Sequence, residues 1–362
     1  MRIVDILVGH ISVPLKRPFK TALRQVNTVE DIVVKIITDT GNVGYGEAAP
    51  TAVITGDTFG SIKYAVEEYI KKDLIGIELD NIEEIMLKLD KTMVKNTSAK
   101  AAVDIALYDL YGQNFKAPLY KLLGGYRRKI YSDITISINE PEVMAADSIE
   151  AVKLGYKNLK IKVGMNPEQD ISRIKAVREA VGKDINIRID ANQGWKPKEA
   201  VNTIFKMENA GLKLEFVEQP VQAHDIKGLK YVTDNVNIPV MADESVFSPK
   251  EAIDIMELRA ADMINIKLMK AGGIHNAIKI FSMAEIYGME CMIGCMLETK
   301  ISVTAAVHLA CAKSIITKFD LDGPMLCLED TIEGGAEFNN SIITISDTYG
   351  LGFKNIKNVI YK

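Results

Sequence analysis

Three short apolar runs in the middle of this chain end on a carboxylate, where a strand buried on both faces should stay apolar. They are INIRID at Asp190, LEFVEQP at Glu218 and IPVMADES at Asp243. Two further runs carry lysine: LKIKVG with Lys160 and Lys162, and INIKLMKAGG with Lys267. A lone KxK is ordinarily a pair of solvated lysines, and a lone Asp after a strand is ordinarily a turn or cap residue. The set reads differently. Three carboxylates in one cavity repel one another unless something cationic sits between them. Lysines alone could do it as a structural ion-pair cluster, but buried ion pairs stabilise poorly. A divalent metal answers better, and all-oxygen ligands without His or Cys point to a hard cation, Mg²⁺ at one per subunit, rather than Zn²⁺. None of His10, His224, His275 or His308 falls at these strand ends, and no HxH or HExxH occurs.

The lysines suggest the reaction. A lysine crowded by other cations and partly desolvated can act as a base near neutral pH, and Lys160, two residues from Lys162, is a source of that crowding. With a carboxylate substrate on the metal, Lys162 and Lys267 would flank its α-carbon. One would remove the α-proton, the resulting enediolate would be stabilised by the metal, and the other would return a proton to the opposite face. The outcome is racemisation or epimerisation.

Positioning such a set requires a regular scaffold. From about residue 130, eight short apolar runs (SDITISI, NLKIKV, INIRID, LEFVE, IPVMA, DMINIK, ECMIGC, IITKFD) alternate with amphipathic helical segments. Successive run ends, from Lys162 to Asp320, are 24 to 28 residues apart, one βα unit each. Eight units are the count of a (β/α)8 TIM barrel, whose strand C-termini converge on one mouth. Before it, β-rich runs (RIVDILVGHISVPL, DIVVKIIT) and then helices (SIKYAVEEYIKKDL, IEEIMLKLDKTM, and SAKAAVDIALYDLYGQ with Ser98 as its cap) read as an α+β unit. The expected division is a capping domain over 1–125, a barrel over 126–339 and a tail, 340–362, packing back on the cap.

Composition narrows the class. The chain has 362 residues, 48% hydrophobic and 25% charged, with a net charge of −4. This is a globular profile with no lysine run, so no nucleic-acid partner is expected. Ile301 to Ala312 is too short to span a bilayer, so no membrane partner is expected either. Asp5 interrupts what a signal peptide would need as its apolar centre, and the four cysteines form no CxxC. A reduced, cytoplasmic protein acting on a small molecule is expected, as a homo-oligomer.

The order KIK, DAN, EQP, ADES, IKLMKAGG resembles the enolase superfamily, in its muconate-lactonising subgroup, over essentially the whole chain. Within it the closest resemblance is to the dipeptide epimerases, carried by FDLDGP. The resemblance implies that Lys162 and Lys267 are the acid/base pair and that Asp190, Glu218 and Asp243 hold Mg²⁺. It implies that Asp320 and Asp322 bind the free α-ammonium of a dipeptide. It implies that Arg24, in FKTALRQ, clamps a glutamyl side-chain carboxylate, that Thr135 and Lys160 bind substrate, and that Cys295 and Leu297 line the pocket. The implied reaction is 1,1-proton transfer at the C-terminal residue of a dipeptide, L-Ala-L-Glu to L-Ala-D-Glu, with a role in recycling cell-wall peptides. A second cap loop, PTAVITGDT, is expected to complete the lid, Gly56 permitting its turn.

Within the same superfamily the rivals are N-acylamino acid racemase, o-succinylbenzoate synthase and muconate-type cycloisomerase, whose substrates lack the free ammonium. A metal-dependent hydrolase would want histidines or a second metal, and a mere binding protein would not need both lysines.

Overall fold

The protein was analysed as a computed structural model that describes residues 1–361. The chain opens on a long antiparallel hairpin, β1 (Ile3–Lys20) and β2 (Gln25–Thr38), followed by β3 (Val43–Ala48). The Asp39–Asn42 turn between β2 and β3 holds Gly41 at φ +81°. The hairpin runs beyond its sheet, so its tip, Thr21–Arg24, reaches past the body of the cap. Helices follow. SIKYAVEEYIKKDL forms one helical stretch that passes through a wider π turn over Ala65–Ile70. Ile82–Lys91 and Thr97–Asn114 come next.

The helix Thr97–Asn114 is buried nearly all round, as an alanine-rich helix permits. Gly44 and Gly46 of β3 let it lie against the sheet, because a Cβ on Gly46 would fall 1.8 Å from the Ala102 carbonyl oxygen. Its cap differs from the sequence expectation. The helix begins one residue before Ser98, which lies inside the first turn. The Ser98 N–H is taken at 3.0 Å by the carboxylate of Asp57, which the fold brings in from a distant loop.

A short strand, β4 (Lys129–Tyr131), leads to the barrel: β5 (Ile134–Ile136), β6 (Asn158–Lys162), β7 (Asn186–Asp190), β8 (Leu214–Glu218), β9 (Val240–Ala242), β10 (Met263–Lys267), β11 (Glu290–Gly294) and β12 (Ile316–Asp320). These eight form one parallel sheet in chain order. The fold is a (β/α)8-type barrel with an N-terminal α+β domain. Four of the connecting helices start with proline at the first position, at Pro141, Pro167, Pro197 and Pro249. Asn166 and Ser248 cap two of these through their side chains.

After β12 only a four-residue helix, Gly323–Leu326, stands where an eighth long helix would be. The seam between β12 and β5 is joined at one end by the Asp133 N–H to the Phe319 carbonyl at 3.1 Å. Phe216, Met241, Met263 and Met292, from the four successive strands β8 to β11, form a separate apolar cluster. Beside it Arg188 bonds Asp133 and Glu215 at 2.8 and 2.7 Å and lies over the Phe216 ring.

The chain ends with β13 (Ile332–Gly334), β14 (Glu337–Asn339), β15 (Ile342–Thr344), β16 (Phe353–Ile356) and β17 (Ile360–Tyr361). β15 pairs with β4, and β17 adds to the edge of β1. Lys362, the end of the expected tail, lies outside the described residues. Among the described residues no helix is long and apolar enough to cross a membrane.

One buried histidine ties the helix Lys300–Ala312 to the segment entering the barrel: His308 Nδ1 accepts the Tyr120 N–H at 3.1 Å. Burial holds this imidazole down at about 3. The folded value lies below the unfolded 6.5, so the stability tied to neutral His308 is present above pH 6.5 and lost as pH falls towards 3. His308→Gln should flatten the pH dependence of unfolding free energy in that window by up to about 1.4 kcal/mol per pH unit. Urea denaturation at several pH values reads it. An unaltered slope would mean that His308 is not carried as the neutral base.

Candidate active site

Strand register places the chemistry. Lys162 stands opposite Asp190, and Asp190 opposite Glu218, so the ends of β6, β7 and β8 present these groups side by side. Asp243 follows β9, and Lys267 ends β10. β6 and β10 are four strands apart in an eight-stranded ring, so Lys162 and Lys267 rise from opposite walls. Both line one cavity at the barrel mouth.

Asp190, Glu218 and Asp243 are fully buried, and one oxygen from each lies within 4.8 Å of the others. Glu218 Oε1 accepts from Asn265 Nδ2 at 2.8 Å, and Asp190 Oδ1 from the Asn192 N–H at 2.9 Å. Glu218 Oε2 and Asp243 Oδ1 are buried without a hydrogen bond, although lysine ammoniums stand at ion-pair distance. Three hard oxygen donors with lone pairs to spare fit a magnesium-type cation.

Four lysines surround these acids. Lys160 Nζ is 2.6, 2.9 and 3.2 Å from Asp320, Glu218 and Asp190. Lys162 is 2.6 Å from Asp190, Lys267 is 2.7 Å from Asp243, and Lys270 is 2.6 Å from the other Asp243 oxygen. Burial pushes Asp190 up, but Lys162 and Lys160 outweigh it and hold the carboxyl at about 2. Burial and the neighbouring Asp190 push Glu218 up, to about 8. Burial also pulls Lys270 below the usual lysine range, with Lys267 adding to the effect against the pull of Asp243.

The remaining sequence-derived residues gather around the same cavity. Thr135, Cys295, Leu297, Asp320 and Asp322 line it from the barrel. The Thr135 N–H donates to Asp322 Oδ2 at 2.6 Å, which fixes that carboxylate across the seam. Asp322 lies just beyond β12, at the start of the short helix. Burial, followed by the charge of Asp322, lifts the Cys295 thiol well above the usual range, so it is held as a neutral lining group. Lys160 is set apart: it sits beneath the cavity, among the carboxylates, and does not line it.

From the cap, Arg24 comes over the mouth at the hairpin tip. That tip is closed by the Thr21 N–H to the Arg24 carbonyl and by Thr21 Oγ1, which accepts the Leu23 and Arg24 N–H groups. Burial lowers the Arg24 guanidinium, and Asp31 offsets this in part. Val53 and Ile54 of the second cap loop line the cavity too, and Gly56 turns that loop at φ +77°.

Several contributors do not stand out in the sequence. Gln219, at φ +35°, satisfies its buried amide completely. Its Oε1 accepts the Asp243 and Ser245 N–H groups, and its Nε2 donates to the Val221 carbonyl and Ser245 Oγ. It thereby fixes the loop that carries Asp243. Asn192, readable as a loop former, lines the cavity and joins Asp190 to Glu244. Lys270, the second lysine of IKLMKAGG, grips Asp243. Only its spacing from Lys267 in the sequence hints at this.

Comparison with known proteins agrees with this geometry. The family model described as "Mandelate racemase / muconate lactonizing enzyme, N-terminal domain" matches residues 3–124, and "Enolase C-terminal domain-like" matches 144–356. An L-Ala-D/L-Glu epimerase of Clostridium acetobutylicum is 64% identical over 99% of this chain and 100% of its own. The substrate-liganded L-Ala-D/L-Glu epimerase from Bacillus subtilis superposes with a TM-score of 0.97 at 50% identity, covering 98% of this chain and 99% of that one. The dipeptide epimerase from Enterococcus faecalis, complexed with Mg and L-Leu-L-Tyr, gives a TM-score of 0.95 at 45% identity, covering 98% and 100%. With both family models matched along one chain, and a full set of acids and lysines at the mouth of its barrel, the protein belongs to the enolase superfamily, among the mandelate racemase and muconate lactonizing enzymes.

Proposed function

We propose that this protein is a Mg²⁺-dependent dipeptide epimerase that inverts the α-carbon of the C-terminal residue, with L-Ala-L-Glu and L-Ala-D-Glu as its pair. The observation that carries the reading is the cavity itself. Lys162 and Lys267 enter it from opposite walls, Asp320 and Asp322 stand on its barrel side, and Arg24 reaches it from the cap. The ligand has one ammonium and two carboxylates, and each charge has a partner of opposite sign. Asp320 and Asp322 suit the ammonium, Arg24 suits the γ-carboxylate, and the α-carboxylate suits the cation that Asp190, Glu218 and Asp243 would hold. Mg²⁺ bound by those three carboxylates supplies Lewis-acid stabilisation of charge on the substrate carboxylate.

The chain's own residues do the proton work. A lysine carrying a free amine takes the α-proton from its side. The opposite lysine, carrying an ammonium, delivers a proton to the other face. Exchanging the two protonation states runs the reaction backwards. Burial of both amines excludes bulk water, which limits proton loss to solvent between the two steps.

Lys162→Ala and Lys267→Ala should each lower epimerisation by at least about 10²–10⁴-fold. Each should lose α-proton exchange for one stereoisomer of the C-terminal residue while keeping it for the other. Dipeptides incubated in deuterated water and read by mass shift test this, and two-way turnover surviving in either variant would remove the two-base scheme. Chelation by EDTA should stop turnover and added Mg²⁺ restore it; activity that persists after exhaustive chelation would contradict the metal assignment. Arg24→Ala should raise KM for L-Ala-L-Glu by about tenfold or more, the equivalent of a charge-assisted pair. It should leave dipeptides with a neutral second residue little changed, and equal losses on both would take the γ-carboxylate away from Arg24. Asp322→Asn should hurt dipeptides and spare N-acylated amino acids; the reverse would favour an N-acylamino acid racemase.

A further inference from the structure

A second set of acids lies where the cap meets the barrel, outside the proton-transfer site. Glu47 of β3, Glu298 from the turn after β11, and Asp31 of β2 are all nearly inaccessible to solvent. Among the described residues none of the three has a lysine, arginine or histidine at ion-pair distance. Glu47 sits at the N-terminus of the thirteen-residue helix Lys300–Ala312 and accepts the Thr299 and Ser302 N–H groups at 2.9 and 2.8 Å. That position suits an anion.

Ser302 decides where a proton must be. Its hydroxyl oxygen lies 2.8 Å from Glu47 Oε2 and also in hydrogen-bond contact with Glu298 Oε2. A hydroxyl has one hydrogen and can donate it to one carboxylate only. Glu47, already receiving two backbone N–H groups, is the anion that takes it. The Glu298 contact can then be a hydrogen bond only if Glu298 supplies the hydrogen. Its other oxygen, Oε1, accepts the Met296 N–H at 2.6 Å, which leaves Oε2 as the hydroxyl end.

We infer that Glu298 is a neutral carboxylic acid in the working enzyme and that its proton, donated to Ser302, fastens the pocket wall Cys295–Leu297 to the capping sheet through Glu47. Glu298 is thus a positioning residue: it touches no reacting atom, but the turn it closes carries the lining residues Cys295, Met296 and Leu297. The effect on substrate rests on the function proposed above; the protonation state does not.

The groups that face Glu298 agree with this assignment. Burial lifts it, the Ser302 and Met296 bonds and the charge of Lys267 across the barrel draw it down, Glu47 pushes it up, and it settles at about 7. Burial, followed by Glu47, lifts the Asp31 carboxyl well above the usual range, against the charge of Arg24. Cys295 is a neutral thiol. Of Glu47 and Glu298, it is Glu47, at the helix N-terminus, that carries the charge. Loss of the Glu298 proton leaves one Ser302 hydrogen between two buried anions, and the contact opens.

Infrared difference spectra of the intact protein on raising the pH from 6 to 9 should show loss of a protonated-carboxyl C=O band that Glu298→Gln lacks. Gln keeps the geometry, its amide donating to Ser302 and its carbonyl accepting from Met296. Glu298→Gln should therefore hold a near wild-type KM at pH 6.5 and show no rise by pH 8.5. The wild-type KM should rise by up to about tenfold per pH unit above 7, because only the protonated fraction is competent. Glu298→Leu should bind poorly at both pH values. A Gln variant as impaired as Leu at pH 6.5, an identical alkaline rise in wild type and Gln, or no band assignable to Glu298 would each overturn the inference. The spectra need no substrate, so a wrong dipeptide assignment would silence the kinetics of every variant while leaving the band in place.

Discussion

Like charges forced together out of water are the constraint on which this structure turns. A parallel barrel brings the ends of its strands to one rim, and here the rim carries Asp190, Glu218, Asp243 and Asp320 with almost no solvent access. Such a cluster can persist only where each negative charge meets a positive one. Lys160 meets Asp190, Glu218 and Asp320 at once, Lys162 adds to Asp190, and Lys267 and Lys270 meet Asp243. Against burial, these acids raise both Lys160 and Lys267 above the usual lysine range.

The cap–barrel joint meets the constraint by another route. Among the described residues no lysine stands at ion-pair distance from Asp31, Glu47 or Glu298. A helix N-terminus stabilises the Glu47 anion, the Ser302 hydroxyl joins it to Glu298, and burial lifts Asp31 and Glu298 above the usual carboxylate range. The wall at Cys295–Leu297 is tied to this second cluster through the Met296 N–H and Glu298. The joint depends on the Glu298 proton, which mild alkali removes.

How much of this was legible in the sequence depended on whether a residue announces itself by breaking a pattern. Asp190, Glu218 and Lys267 interrupt apolar strand runs, and strand register alone then brings them to one rim. The barrel itself could be read from the spacing of its strands. Gln219 and Lys270 sit in loops or short helices where polar residues are ordinary, so their saturated hydrogen bonds could not be inferred from type or spacing. The cap of the helix Thr97–Asn114 was misread for a related reason. Ser98 is a good local cap, but Asp57, forty-one positions earlier in the chain, takes its N–H first. Glu298 belongs to the same class, because its role depends on Glu47, 251 residues away in sequence.

The two halves of the molecule differ in how tightly they hold what they present. Lys162, Asp190 and Glu218 are locked by adjacent parallel registers, and a one-residue slip of any of these strands would turn its side chain out of the barrel. Arg24 is held by a four-residue hairpin tip and a few bonds to Thr21. Under the function proposed above, proton transfer belongs to the barrel, and the choice of the second residue belongs to this tip, where a substitution breaks few bonds.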